Sequence, residues 1–125
     1  MNDPAPEPDP SKAPTDAAPV LVLVRDLMFS GRIGATARAL NAPVRMLRDP
    51  AGLEQLTGGV RLIVDLNLPG ALEAALAWKR ASAGEVVGFV SHVDAETIGR
   101  ARAGGVDRVL PRSQFVNILP ELLRP

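Results

Sequence analysis

The chain has 125 residues, enough for one domain and too few for two. Its 14 basic and 14 acidic residues cancel, which argues against the net field of a nucleic-acid or membrane-surface binder, and the lack of cysteine excludes disulfides and thiolate metal sites. No apolar run approaches the roughly 20 residues that span a bilayer. The acidic N-terminus lacks the basic-then-apolar order of a signal peptide, and the cysteine-free composition fits a reducing cytoplasm.

Residues 1–19 set Pro4, Pro6, Pro8, Pro10, Pro14 and Pro19 among Ala, Asp, Glu and Ser. Such a segment cannot bury enough apolar area to offset its ordering entropy, so it reads as a disordered tail. Val20 to Val24 is an unbroken β-branched and aliphatic run, the first strand, ended by Arg25-Asp26. Ser30 is the predicted cap of a helix with Ile33, Ala37 and Leu40 on its apolar side, closed by Asn41 and Pro43. Val44 to Leu47 is interrupted by Arg45 and followed by Arg48, which suits an edge strand. Asp49-Pro50 is a cap and first-turn pair for a second helix with Leu53 and Leu56 inward, expected to end at Gly58-Gly59.

The next run, Leu62-Ile63-Val64, fits a strand buried on both faces. It stops at Asp65, and Pro69-Gly70 turns the chain. A helix from about 71 to 83 follows, with Leu72, Ala75, Leu76 and the stem of Lys79 on one face and Trp78 off that stripe, at the helix boundary rather than in a contact surface, since amphipathic aromatics often sit half-buried. Val86 to Val90 is the third wholly apolar strand and ends at Ser91-His92. Asp94 caps a helix carrying Ile98, Ala101 and Arg102, which Gly104-Gly105 stops. Arg108 to Leu110 is a short strand ending at Pro111-Arg112. Ser113 is the predicted cap of a last segment with Phe115, Ile118, Leu119 and Leu122 inward. Pro120 removes a helix hydrogen bond there, so either that helix is kinked or a turn precedes a helix starting near Asn117.

Five strands alternating with five helices imply a parallel sheet with helices on both faces and right-handed crossovers. The three apolar strands want the centre and the two mixed ones the edges. The flavodoxin-like doubly wound order 2-1-3-4-5 provides this. Ligands in such sheets bind beyond the carboxyl ends of the strands. Asp26, Asp65, Ser91 and Arg112 stand at four of those ends. A lone strand-end Asp is ordinarily an Asx-turn. Two carboxylates, a hydroxyl and a cation in one crevice, however, are the parts of aspartyl-phosphate chemistry: a nucleophilic carboxylate, a second to help hold Mg²⁺, and two groups for phosphoryl oxygens.

From Val20 to Leu123 the sequence resembles the response-regulator receiver domains of two-component signalling. The segment IVDLNLPG (Ile63 to Gly70) is similar to the family's phosphoacceptor segment, and AGGVDRVL (Ala103 to Leu110) to the approach to its last strand. FVSHVD (Phe89 to Asp94) and VLPRSQF (Val109 to Phe115) resemble atypical, stand-alone receiver-like proteins. The resemblance divides the chain into a tail, 1–19, and a receiver-like domain, 20–125. It implies Asp65 as phosphoacceptor, Mg²⁺ on Asp26, Asp65 and the Asn67 backbone carbonyl, and Ser91 and Arg112 at the family's hydroxyl and Lys positions. It implies no enzyme beyond self-catalysed phosphorylation and dephosphorylation. Its partners would be a histidine kinase or phosphotransfer protein and an effector protein, with a homodimer through the last helix face as a further expectation. Arg25 departs from the pattern, standing where an acid is expected. So do Arg112 for Lys, Ser113 for Pro and Val109 for an aromatic. His92, the only histidine, follows Ser91 as a gate to Asp65 or as packing, and Met28 and Phe29 read as packing near the crevice.

Three functions follow. The first is a working receiver in a phosphorelay, with output through a partner protein since no effector domain follows Pro125. The second is a pseudo-receiver that acts as an interaction module without phosphorylation. The third, a small enzyme or nucleotide-binding domain, lacks its motif: RDLMFSG, not a glycine-rich loop, follows the first strand.

Overall fold

Side chains alternate across a strand, so each apolar strand serves both sides of a sheet. In the structure, a computed structural model that describes residues 19–56, 58–92 and 94–124, that alternation divides the core in two. The strands are β1 (Val20–Leu23), β2 (Val44–Leu47), β3 (Arg61–Asp65), β4 (Glu85–Val90) and β5 (Arg108–Pro111). They form one parallel sheet in the order β2-β1-β3-β4-β5. The architecture is the flavodoxin-like one expected, with the apolar strands central. The predicted tail, apart from Pro19, lies outside the described residues.

The helices are α1 (Leu27–Leu40), α2 (Pro50–Leu53), α3 (Ala71–Ser82), α4 (Ala95–Gly104), α5 (Arg112–Asn117) and α6 (Leu119–Leu123). Leu21, Leu23, Leu62, Val64 and Val86 face α2, α3 and α4, meeting Leu53, Leu72, Ala75, Trp78 and Ala101. Val20, Val22, Ile63, Val87 and Phe89 face α1, α5 and α6, meeting Ile33, Ala37, Phe115, Leu119 and Leu122. Among the described residues no polar or charged side chain is fully buried.

Several local expectations are corrected. Helix α1 begins at Leu27, not at Ser30, because the Asp26 carboxylate reaches the first free amides, Met28 and Phe29. Ser30 sits inside the first turn and its hydroxyl donates back to the Asp26 carbonyl at 2.7 Å. Asp49 does cap α2, but that helix is one turn long and ends at Leu53, well before Gly58-Gly59. Trp78 is buried (3 % exposed) on the stripe with Ala71 and Ala75, and its indole donates to the Gly58 carbonyl at 3.3 Å. Leu76, expected inward, is half-buried. Ser113 does not cap α5: Pro111, in extended backbone, is the N-cap, so the helix starts at Arg112, two residues earlier than a Ser113 cap would place it. The chain then breaks at Ile118 and restarts as α6 with Pro120 in its first turn, where the missing N–H has no helical partner to lose. That restart falls at Leu119, slightly later than the Asn117 alternative.

Candidate functional site

Asp65 ends β3 on the carboxyl edge of the sheet and is half-buried. Its Oδ1 accepts the Asn67 N–H at 2.9 Å, the Asx-turn that opens the β3–α3 connection. Gly70, at φ +81°, completes that connection and leads into α3. Burial raises the Asp65 carboxyl above its ordinary 3.8, and Asp26 adds to the rise; the Asn67 amide, Arg112 and His92 act in the other direction. Leu66 prolongs the ladder past Asp65, donating its N–H to the Phe89 carbonyl at 3.0 Å.

Asn67 does more than the sequence indicated. Its side-chain Oδ1 accepts both the Ser91 N–H (2.7 Å) and the His92 N–H (3.1 Å) at the end of β4. Ser91 and His92 are exposed.

Asp26 divides its two oxygens. Oδ1 caps α1, taking Met28 N–H at 2.9 Å and Phe29 N–H at 3.1 Å, while Oδ2 lies 3.8 Å from Arg112 Nη2. Both side chains of that pair are substantially exposed, so solvent screens the attraction. Arg112 lies with its guanidinium carbon 4.0 Å from the centre of the Phe29 ring, and its Nη1 reaches Ser91 Oγ at 3.5 Å, the limit of hydrogen bonding. Phe29, Phe89 and Phe115 pack ring against ring beneath it, with centroids 4.5 to 5.7 Å apart. Arg25 turns away from the crevice: its Nε donates to the Arg48 carbonyl at 3.2 Å, beyond the end of β2.

The edge therefore gathers the sequence-predicted residues in two linked sets. Asp26 and Ser91 each approach Arg112, and Asp65, Asn67, Ser91 and His92 are joined through Asn67. Sequence reasoning missed two roles. Phe29 is the platform of Arg112, a role hinted at by its place on the stripe Phe29, Ile33, Ala37. The Asn67 carboxamide binds two backbone amides, for which no sequence signal exists. Met28, read as packing, stands 87 % exposed.

A hard divalent cation suits the donors. Mg²⁺ is commonly held by one or two carboxylates and retained waters. Asp26 and Asp65 each commit Oδ1 to backbone amides; the remaining donors are Asp65 Oδ2 and Asp26 Oδ2, the latter shared with Arg112 at 3.8 Å. Among the described residues no group of three or more Asp, Glu or His gathers, so such a site rests on a sparse set.

No model of a protein family matches the chain, and no curated sequence matches it. Its fold is that of response-regulator receiver domains. One solved match is a response regulator protein from Burkholderia pseudomallei with a phosphorylated aspartic acid, calcium ion and citrate (16 % identity, TM-score 0.69); the match covers 84 % of this chain and 65 % of that one. A phosphorylated cyanobacterial phytochrome response regulator, RcpA, matches at 14 % identity and TM-score 0.71, over 84 % of this chain and 90 % of that one. The Mn²⁺-bound response regulator Rcp1 matches at 16 % identity and TM-score 0.67, over 83 % and 87 %.

Proposed function

We propose that the protein is an atypical receiver whose phosphoryl acceptor is Asp65, working in a two-component phosphorelay with output through a partner protein. The observation that carries this is Asp65 itself. It is a half-buried carboxylate at the tip of the central strand, beside a second carboxylate, a hydroxyl and a guanidinium. Two of the solved proteins that share its fold are phosphorylated, one of them on an aspartic acid.

The chemistry is a displacement at phosphorus. The free Asp65 oxygen attacks, an acyl phosphate bond forms, and the bond from phosphorus to the donor's leaving group breaks. That group is a histidine nitrogen or, for acetyl phosphate, the acetate oxygen. Arg112 and the Ser91 hydroxyl bind phosphoryl oxygens. Asp26, Asp65 and the Asn67 carbonyl would hold Mg²⁺, whose charge would offset that of the phosphoryl group. His92 stands at the mouth as a gate. The partners are a histidine kinase or phosphotransfer protein and an effector, with self-pairing through the α5–α6 face. The balanced charge argues against nucleic acid or a membrane surface as partner. We place the protein in the cytoplasm, with residues 20–125 as its domain.

One observation favours the second reading, a pseudo-receiver that serves as an interaction module. Arg25 replaces an acid, and Arg112 rests on Phe29 and beside Asp26, the neighbouring carboxylate. Intact-mass spectrometry decides between them. The parent and its Asp65→Asn variant are incubated with acetyl phosphate and Mg²⁺. A gain of one phosphoryl group in the parent alone is expected. No gain, together with no response to beryllofluoride and Mg²⁺ by NMR, would leave the interaction module.

A further inference from the structure

We propose that Asn67 is a positioning residue: its carboxamide latches the end of β4 to the tip of β3, and a phosphoryl group on Asp65 releases that latch by competing for the Ser91 and His92 amides. The second half rests on the reading of Asp65 as phosphoacceptor; the first does not.

Both ends of Asn67 are engaged. Its backbone N–H is tied to Asp65 Oδ1 at 2.9 Å, and its side-chain Oδ1 takes two successive amides, Ser91 at 2.7 Å and His92 at 3.1 Å. One residue therefore links the acidic group to the segment leaving β4. The register explains the reach: Asp65 pairs with Phe89, so Ser91 lies two residues beyond the partner of Asp65. Ser91 and His92 are exposed, and water would serve their amides equally well; a single fixed acceptor instead holds the segment in one place, at the cost of its backbone freedom.

The acceptor is neutral. A phosphoryl group brings three anionic oxygens, and charge-assisted hydrogen bonds are roughly twice as strong as neutral ones. Added to the free oxygen of Asp65, it stands beside the donors that Asn67 now occupies. The carboxamide and the phosphoryl oxygens then compete for the same N–H groups, and the loser is the neutral one. The segment after β4 is thereby released from β3 and re-anchored on the modified side chain. The transition is an exchange of acceptors at a two-position element.

The test has two arms, both by ¹⁵N NMR on the full chain. In the first, amide hydrogen exchange at Ser91 and His92 is compared in the parent, Asn67→Ala and Asn67→Asp. Protection is expected to fall about tenfold or more in the Ala variant and to return in the Asp variant, which keeps the acceptor oxygen. Exchange within β3 and β4 should stay unchanged, which shows that the fold is intact. Unchanged protection in the Ala variant would overturn the latch. In the second arm, beryllofluoride and Mg²⁺ stand for the phosphoryl group, and the Asn67 side-chain NH₂ signal is followed. Movement of that signal together with the Ser91 and His92 amides, absent in Asp65→Asn, is expected. An adduct on Asp65 that leaves the Asn67 signal in place overturns the release. No adduct at all sinks the phosphoacceptor reading and the release with it, while the first arm still decides the latch.

Discussion

Asp65 carries a cost at neutral pH. Burial holds its carboxyl above the ordinary 3.8, so the folded protein binds that proton more tightly than the unfolded chain. Between the ordinary and the raised value stability falls as pH rises, and above both the desolvated charge is a standing penalty. Asp65→Asn removes the charge and keeps an oxygen for the Asn67 N–H. Its urea midpoint at pH 7 should exceed the parent's by about 0.5–1 kcal/mol in stability, the usual size of gain when a site residue is neutralised. The advantage should shrink as pH is lowered towards 3.8. Equal midpoints at pH 7 would show that the site is not desolvated. A second residue-scale requirement is Gly88. A methyl group there would lie 2.5 Å from Leu66 Cδ1 and 2.7 Å from its Cγ, and Leu66 joins Asp65 to Asn67. Gly88→Ala should cost about 1–3 kcal/mol, the range for overpacking, read from urea unfolding. It should also perturb the Asn67 side-chain NH₂ signal, because Leu66 must shift.

The elements were legible where a single physical cause decides them. The three apolar strands could only be central, and Asp49, Asp94 and Asn41 cap helices as their chemistry dictates. Caps failed where two candidates competed. Asp26 stands nearer the strand than Ser30 and captured the first amides, which gave one residue both a structural duty and a place in the crevice. A stripe through Leu72, Ala75 and Leu76 leaves Trp78 outside, whereas the inward face is wider and runs through Ala71, Leu72, Ala74, Ala75 and Trp78. Nothing local encodes the hold that β3 has on the C-terminal helix. The Arg61 Nε pairs with Glu85 at 2.7 Å, while its Nη1 donates to the Leu122 carbonyl at 2.7 Å and the Arg124 carbonyl at 2.6 Å. These are carbonyls at the end of α6, where a helix leaves its last carbonyls without intrahelical partners. Arg61→Ala should destabilise the protein by about 1.5–3 kcal/mol, the range for hydrogen bonds to a charged group, and should speed exchange in α6 before other elements. Glu85→Ala, which leaves both carbonyl contacts, should cost less. Equal costs for the two variants would place the stabilisation in the ion pair and not in the carbonyls.

At the scale of the molecule, one sheet divides two apolar layers. The α2–α3–α4 side is sealed by Leu53, Leu72, Trp78 and Val106, and the α1–α5–α6 side by Phe29, Phe115, Leu119 and Leu123. The site residues lie on neither layer. They sit at the strand ends where both layers stop, which is why substitutions in the crevice can alter chemistry without opening a core. Residues 1–18 hold an uneven share of the charge. Asp3, Glu7, Asp9 and Asp16 stand against Lys12, so the remainder carries ten acidic residues against thirteen basic ones. Deleting residues 1–18 should leave the calorimetric unfolding temperature and its cooperativity unchanged, since their proline-rich, acidic composition offers little apolar area to bury. The same deletion should turn a neutral protein into a cationic one that is retained on a cation exchanger at pH 7. A fall in the unfolding temperature would mean that the acidic segment is held by the folded body and that the domain begins before residue 20. Retention without any thermal change would assign that segment to charge balance alone.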